Sequence, residues 1–139
     1  QIIKAPTLLY SEIDTQNVTK ISVLIIDCVG LLSNLYQYAN FALIGGGFNK
    51  GIHNILEAVV FGVPVLFGPK YRKAQEAIDL VTLNLASSIN SYDEFEYLLN
   101  ELLNDEAKYH LTKKQLRNYI EQNAGATQKI YAHIFNTII

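Results

Sequence analysis

The chain lacks the residues on which several classes of protein depend. Its 139 residues include no methionine, no tryptophan and only one cysteine, Cys28. A single cysteine excludes an internal disulfide framework and a cysteine-rich metal site, and it is typical of a reducing compartment. The apolar neighbours of Cys28 predict a buried structural thiol rather than a nucleophile. Because position 1 is not methionine, we expect the chain to be a segment of a longer protein.

Charge and long apolar runs are also scarce. Only 17% of the residues are charged and the net charge is -2, so there is no basic surplus and we expect no nucleic-acid partner. No apolar stretch reaches the length of about 20 residues that a membrane helix needs, and no signal peptide is visible. These absences predict a soluble segment, with any membrane anchor outside it. The length of 139 residues suffices for one core but not for two ordinary domains, so we expect a single, partial domain over residues 1–139.

Short apolar runs alternate along the first two thirds of the chain with amphipathic helical patterns. Most of the runs lack polar alternation, which predicts strands covered on both faces of a parallel sheet. The predicted strands are Thr7 to Tyr10, Ser22 to Ile26, Phe41 to Ile44, Pro64 to Phe67 and Leu85 to Ile89. The predicted helices are Leu31 to Tyr38, Ile52 to Phe61 and Lys73 to Leu83. This order indicates an α/β fold with a doubly wound parallel sheet.

The last third of the chain predicts a helical tail. Ser91 to Glu94 forms a capping box, and leucines at helical spacing follow it. A second helix is predicted from Asp105 to Gln122, with a break around Gly125. A last helix carries Ile130, Ile134, Phe135 and Ile138 on one face.

A glycine run follows the third predicted strand directly. Gly45, Gly46 and Gly47 allow positive φ angles and a close approach of a ligand to the backbone. In parallel α/β proteins, anionic ligands bind where strand ends meet helix starts. Neither the dinucleotide fingerprint GxGxxG nor the P-loop motif fits Gly45 to Gly51. The run therefore predicts either a phosphate-bearing ligand or merely a tight turn.

Polar residues in the next predicted helix favour the ligand. Asn54 and Glu57, three residues apart, would share a helix face, and Glu57 could accept hydrogen bonds from sugar hydroxyls. His53 could donate to a phosphate or carboxylate. Alternatively, Asn54 caps the helix and Glu57 interacts with its dipole. The loop from Lys70 to Lys73 brings three cations to the same sheet edge, either for an anionic substrate or as a solvated helix start.

Taken together, these segments resemble one family of bacterial enzymes. The run Gly45-Gly-Gly-Phe-Asn-Lys-Gly-Ile-His-Asn-Ile-Leu-Glu57, with Gly62-Val-Pro-Val-Leu-Phe-Gly-Pro69, resembles the donor-site signature of the 3-deoxy-D-manno-octulosonic acid (Kdo) transferases. The stretches Asp27 to Ala39 and Glu121 to Ala126 resemble flanking parts of the same family. The resemblance implies a partial GT-B C-terminal domain, with a Rossmann-like parallel sheet and a helical tail.

The resemblance also implies an activity and a division of roles. The parent enzyme would transfer Kdo from CMP-Kdo to a lipid A precursor in lipopolysaccharide biosynthesis, at the cytoplasmic face of the bacterial inner membrane. The chain would be its nucleotide-sugar donor-binding domain, inactive alone. The acceptor domain, the catalytic base and the membrane association would lie in a part upstream of Gln1. No metal or cofactor is implied. The implied donor-binding residues are Gly30, Gly45, Gly46, Gly47, His53, Asn54 and Glu57.

Some features depart from the family or leave other functions open. Leu31 and Ile52 replace a glutamate and a glycine that many members carry. A GT-B transferase or epimerase that uses a UDP-sugar would also suit a glycine loop followed by a helix-borne glutamate. A non-enzymatic receiver-like module is a third alternative, since Asp27 ends an apolar strand. A sheet without its first strands would expose an edge, so self-association is a further hypothesis.

Overall fold

The computed structural model describes residues 4–14 and 18–137. Within these residues the regular elements follow the alternation that the sequence predicts. The strands are β1 (Thr7–Leu9), β2 (Val23–Ile25), β3 (Ala42–Ile44), β4 (Val65–Phe67) and β5 (Ala86–Ser88). The α-helices are α1 (Leu32–Leu35), α2 (Leu56–Val59), α3 (Gln75–Thr82), α4 (Tyr92–Asn104), α5 (Glu106–Asn123) and α6 (Ala126–Thr137). Short 3-10 turns cover Tyr10–Glu12, Val18–Lys20 and Tyr36–Tyr38.

All strand pairs in the described residues are parallel, which confirms the α/β class. β1 pairs with β2, and β4 lies between β3 and β5. Parallel neighbours need crossover connections, and here α2 lies between β3 and β4 and α3 between β4 and β5. The strands form two separate sheets rather than one, and they belong to two compact units, residues 1–35 and 36–139. The single domain over residues 1–139 stays a prediction.

Burial of the strands differs from the expectation. β4 is buried at every position, as a strand covered on both faces should be. In β3 the central residue Leu43 is 52% exposed, and in β2 Leu24 and Ile25 are also exposed. Coverage of both faces is therefore wrong for β2 and β3. The burial of a strand depends on which elements pack against its two faces, and those elements cannot be identified from the sequence of the strand itself.

The core of the second unit forms around β4. Phe67 is fully buried among apolar side chains of β3, α2, α3 and α5. Gly62 ends the turn after α2 with φ +73°, a left-handed cap of the kind that glycine favours at helix ends. A methyl group on Gly62 would lie 2.9 Å from the Lys113 carbonyl oxygen of α5. Glycine therefore lets α5 approach the end of α2 closely.

The predicted helix from Ile52 to Phe61 is much shorter in the structure, where α2 covers only Leu56–Val59. The preceding segment hydrogen-bonds back to the end of β3, because the backbone N–H of His53 donates to the Gly45 carbonyl over 3.1 Å. Gly51 has φ +139°, outside the helical region. Backbone groups of this segment form hydrogen bonds within a loop, so the helix begins only after it.

The helical tail follows the prediction closely. Ser91 Oγ accepts from the Glu94 backbone N–H at the start of α4, which confirms the capping box. The Glu94 carboxylate accepts from the Asn90 backbone N–H over 2.7 Å. Asp105 caps α5, and Gly125, with φ +85°, separates α5 from α6.

The apolar face of α6 is exposed in the structure. Ile130, Ile134 and Phe135 are each about half exposed, and Ile138 lies outside the described residues. No helix in residues 4–14 and 18–137 combines the length and the apolar character needed to cross a bilayer.

Candidate functional site

The candidate site begins where β3 ends. The glycine run forms a compact turn, in which the Gly46 carbonyl accepts from the backbone N–H groups of Asn49 (2.9 Å) and Gly51 (3.3 Å). Of the three glycines, only Gly46 has a positive φ, +87°. The tight turn that the sequence left open as an alternative is therefore present.

Each glycine of the run has a close neighbour within the protein. A methyl group on Gly45 would lie 3.2 Å from His53 Cδ2, and one on Gly46 would collide with the Gly51 carbonyl oxygen. Gly47 is buried, and a methyl group there would lie 2.7 Å from the backbone nitrogen of Gly68. Two loops at the same sheet edge thus touch backbone to backbone. The donor-binding roles of these glycines stay predictions.

Asn54 and Glu57 are brought together, although not on one helix face. Asn54 precedes α2, so the expectation that both residues lie within the helix is wrong. Its Oδ1 accepts from the Leu56 backbone N–H over 3.0 Å, which confirms the capping alternative. Its Nδ2 donates to Glu57 Oε1 over 3.1 Å. The Asn54 amide and the Glu57 carboxylate therefore form one preorganised pair beside the glycine turn.

Tyr36 is a neighbour of this pair that the sequence did not single out. Burial, together with the negative charge of Glu57, raises the pKa of the Tyr36 phenol above its ordinary value. The 3-10 turn of Tyr36–Tyr38 contacts α2, and this contact brings the phenol near the carboxylate. Only the resemblance of the stretch from Asp27 to Ala39 could have drawn attention to this residue.

This proximity predicts a measurable shift. We expect Glu57→Gln to lower the pKa of Tyr36 part of the way towards about 10, because the charge is removed while burial remains. Since the folded-state pKa is raised, the neutral phenol contributes stability below the unfolded-state value, and this contribution is lost as pH rises through the folded-state pKa. NMR of Cζ-labelled tyrosine should detect the shift.

Tyr119 provides the internal control for that titration. Its pKa is also raised, first by burial and then by Asp79, and Glu57 does not contribute. The Tyr119 signal should therefore titrate identically in the wild-type chain and in Glu57→Gln. An unchanged Tyr36 titration would show that the carboxylate does not act on the phenol.

The first unit contains the remaining predicted donor residue, Gly30. It has φ +96°, and an added methyl group would meet no atom within 4 Å. Nearby in sequence, Asp27 accepts from both the backbone N–H (3.0 Å) and the Oγ (2.5 Å) of Ser11. The hydrogen bond from the Ser11 side chain lowers the pKa of Asp27. Cys28 is exposed, so the prediction of a buried thiol is wrong.

The loop after β4 returns to the glycine turn. The Lys70 backbone N–H donates to the Gly47 carbonyl over 2.9 Å, and Lys70 Nζ donates to the Asn49 carbonyl over 2.8 Å. The ring of Tyr71 packs on Phe67, with ring centroids 5.2 Å apart. Within the described ranges, no three histidine, cysteine or acidic side chains gather in a way that could hold a metal ion.

Comparisons with known proteins identify a set of similar sequences. The chain is 33% identical over 107 residues to a 3-deoxy-D-manno-octulosonic acid transferase of Chlamydia muridarum, covering 75% of this chain and 24% of that protein. Enzymes of the same name from Aquifex aeolicus (31% identity over 94 residues) and Rickettsia typhi (29% over 120) are also similar. These alignments cover 66% and 84% of this chain, and 27% and 26% of the two relatives.

A solved structure has the same fold. The chain superposes on the C-terminal CMP-Kdo binding domain of WaaA from Acinetobacter baumannii with a TM-score of 0.72 and 23% identity. The match covers 82% of this chain and 60% of that one. It confirms the fold class predicted from the sequence. No family model matches the chain. The chain spans about a quarter of the length of the curated relatives that it matches.

Proposed function

Because the chain belongs to the 3-deoxy-D-manno-octulosonic acid transferase family, we propose that it binds the nucleotide-sugar donor, CMP-Kdo, of a Kdo-transferring enzyme. The matched relatives are named for this transfer, and the superposed domain is named for CMP-Kdo binding. The Asn54–Glu57 pair beside the glycine turn carries the proposal, because it places paired polar groups where the family signature lies.

The geometry of the pair suits a polyhydroxylated ligand. The Leu56 backbone N–H donates to Asn54 Oδ1 and fixes this side chain, and Asn54 Nδ2 in turn donates to one carboxylate oxygen of Glu57. A carboxylate that is held in place loses little side-chain entropy when it accepts hydrogen bonds from hydroxyls. His53 is exposed beside Gly45 and could donate to an anionic group of the donor. The glycine turn lets a ligand approach the exposed backbone at Gly45.

The reaction that follows is a displacement at the anomeric carbon of Kdo. An acceptor hydroxyl, deprotonated by a base in another part of the parent enzyme, attacks that carbon as the bond to the CMP phosphate breaks. The task of this domain is to hold the donor and stabilise the departing phosphate through backbone and side-chain donors. We assign no catalytic residue to the chain, and the mechanism needs neither a metal nor a cofactor.

A titration with CMP and UDP tests the proposal. We expect CMP-selective shifts in the NMR amide signals of Gly45, Gly46 and Asn54 in the 139-residue chain. Glu57→Gln should weaken CMP binding at least about tenfold, since one charge-assisted hydrogen bond is removed. Glu96→Gln, on the exposed surface of α4, makes the same charge change and should leave binding unaltered.

Other outcomes of this titration would identify other functions. Shifts of equal size with UDP would favour a transferase or epimerase that uses a UDP-sugar. An absence of any response at millimolar nucleotide would contradict donor binding by the chain.

The remaining parts of the function concern the parent enzyme. We propose a lipid A precursor as the acceptor and the cytoplasmic face of the inner membrane as the location, since the family resemblance implies both. Self-association of the chain stays a prediction. Sedimentation that shows a strict monomer would contradict it.

A further inference from the structure

A ligand hydroxyl that is held by Glu57 needs a hydrogen-bond donor as well as an acceptor. An ionised carboxylate only accepts hydrogen bonds, whereas a sugar hydroxyl donates one and accepts others. In the structure the Asn54 side chain is already engaged, because its Nδ2 donates to Glu57 Oε1 over 3.1 Å and its Oδ1 accepts from the Leu56 N–H. A second donor group close to the carboxylate would therefore complete the contacts of such a hydroxyl.

Tyr36 lies in the position where this donor is needed. Its 3-10 turn, Tyr36–Tyr38, contacts α2, the helix that carries Glu57. The turn is closed by the Ala39 backbone N–H, which donates to the Tyr36 carbonyl over 3.0 Å. The Tyr36 side chain packs against the apolar core, so packing holds it in place before any ligand binds. Both Tyr36 and Glu57 are only partly buried, and a ligand can therefore reach them.

The chemistry of the phenol suits a donor. A neutral phenol has one O–H group that can donate a hydrogen bond, whereas a phenolate has none. Burial and the negative charge of Glu57 both raise the pKa of Tyr36, so the phenol keeps its proton near neutral pH. The two side chains thus place a protonated donor beside an acceptor-only carboxylate.

We propose that Tyr36 is a donor-binding residue whose phenol donates a hydrogen bond to the same sugar hydroxyl that donates to the Glu57 carboxylate. The hydroxyl belongs to one of the two sugars of the nucleotide-sugar donor, the ribose of CMP or the Kdo ring. Tyr36 is not among the donor-binding residues that the family resemblance implies. The inference rests on the proposed function and deepens it, because a ligand that lacks the hydroxyl would leave both side chains without their partner.

The test is an NMR titration of the 139-residue chain and of Tyr36→Phe with CMP and with Kdo. Tyr36→Phe keeps the ring that packs on the core and removes only the hydroxyl group. We expect about fivefold weaker binding of the sugar that carries the contacted hydroxyl, since one hydrogen bond is lost. Weakening confined to CMP would place that hydroxyl on the ribose, and weakening confined to Kdo would place it on the Kdo ring.

Tyr38→Phe is the matched control, because it removes a hydroxyl from the same 3-10 turn. Tyr38 is 79% exposed, so this variant should bind both ligands within about twofold of the wild-type chain. With Cζ-labelled tyrosine, saturating ligand should shift the Tyr36 signal and leave the Tyr38 signal in place. Equal weakening in Tyr36→Phe and Tyr38→Phe would overturn the proposal.

A double variant distinguishes a shared contact from a general loosening of the turn. If Tyr36 and Glu57 hold the same hydroxyl, Tyr36→Phe/Glu57→Gln should bind within about twofold of Glu57→Gln alone, because the contact is already broken. Weakening that is fully additive would overturn the shared contact.

The same samples separate this inference from the proposed function. CMP shifts at Gly45 and Asn54, together with unchanged affinities for CMP and Kdo in Tyr36→Phe, would overturn the role of Tyr36 alone. A wild-type chain that responds to neither CMP nor Kdo would contradict donor binding, and with it the role of Tyr36.

Discussion

Gly46→Ala is expected to lower the free energy of unfolding by about 4 kcal/mol, because two penalties coincide at this residue. The backbone has φ +87°, which a residue with a Cβ rarely adopts. The added methyl group would also collide with the carbonyl oxygen of Gly51. Since that oxygen belongs to the backbone of the same tight turn, the collision can be relieved only by moving the turn. Urea denaturation followed by circular dichroism measures the loss.

Two further glycine variants separate these penalties. Gly125→Ala has a similar φ, +85°, but its methyl group would come no closer than 3.6 Å to any neighbour, so about 1 kcal/mol should be lost. Gly45 has no positive φ, and the methyl group that Gly45→Ala adds would contact only the movable ring of His53. Equal losses for Gly46→Ala and Gly125→Ala would show that the contact with Gly51 contributes nothing.

The consequence extends to the candidate site. The Gly46 carbonyl accepts from the Asn49 and Gly51 N–H groups, and the Asn49 carbonyl in turn accepts from Lys70 Nζ. A turn displaced by the methyl group would therefore move the loop after β4 as well. We expect Gly46→Ala to perturb the Lys70 amide signal under conditions where the chain is still folded.

The sequence predicted the strands well because each is a short run of apolar residues between turn signals. The capping box at Ser91 and the glycine break at Gly125 are equally local signals, and the structure has both. Local patterns of this kind carry their own structural information, since the hydrogen bonds that they specify lie within a few residues.

Features that depend on distant contacts were missed. The contact between Gly47 and Gly68 joins loops 21 residues apart, and the sequence of neither loop predicts that the other lies against it. The helix predicted from Ile52 begins only at Leu56, because His53 bonds back to Gly45. Burial failed for the same reason at Cys28, since the exposure of a side chain depends on what packs around it. The spacing placed Asn54 and Glu57 on one helix face, whereas in the structure Asn54 precedes α2 and is joined to Glu57 by a hydrogen bond.

Phe67→Ala should also cost about 4 kcal/mol of unfolding free energy, through a cavity in the core. Phe67 is fully buried as the last residue of the central strand β4. Leu43→Ala, in the adjacent strand β3, is the matched control. Because Leu43 is 52% exposed, its truncation should cost less than about 1 kcal/mol. If the alanine variant fails to fold, Phe67→Leu should still lose about 1.5 kcal/mol.

The position of Phe67 links this core loss to the site. Its ring packs against Tyr71, and the residues that follow it, Gly68 to Lys73, form the loop that contacts the glycine turn through Lys70. Removing the ring takes away the apolar support of Tyr71, so we expect faster amide hydrogen exchange in this loop than in α4 or α5. Unchanged exchange at Lys70 to Lys73, together with the expected loss of stability, would show that Gly47 and Asn49 hold the loop without help from the core.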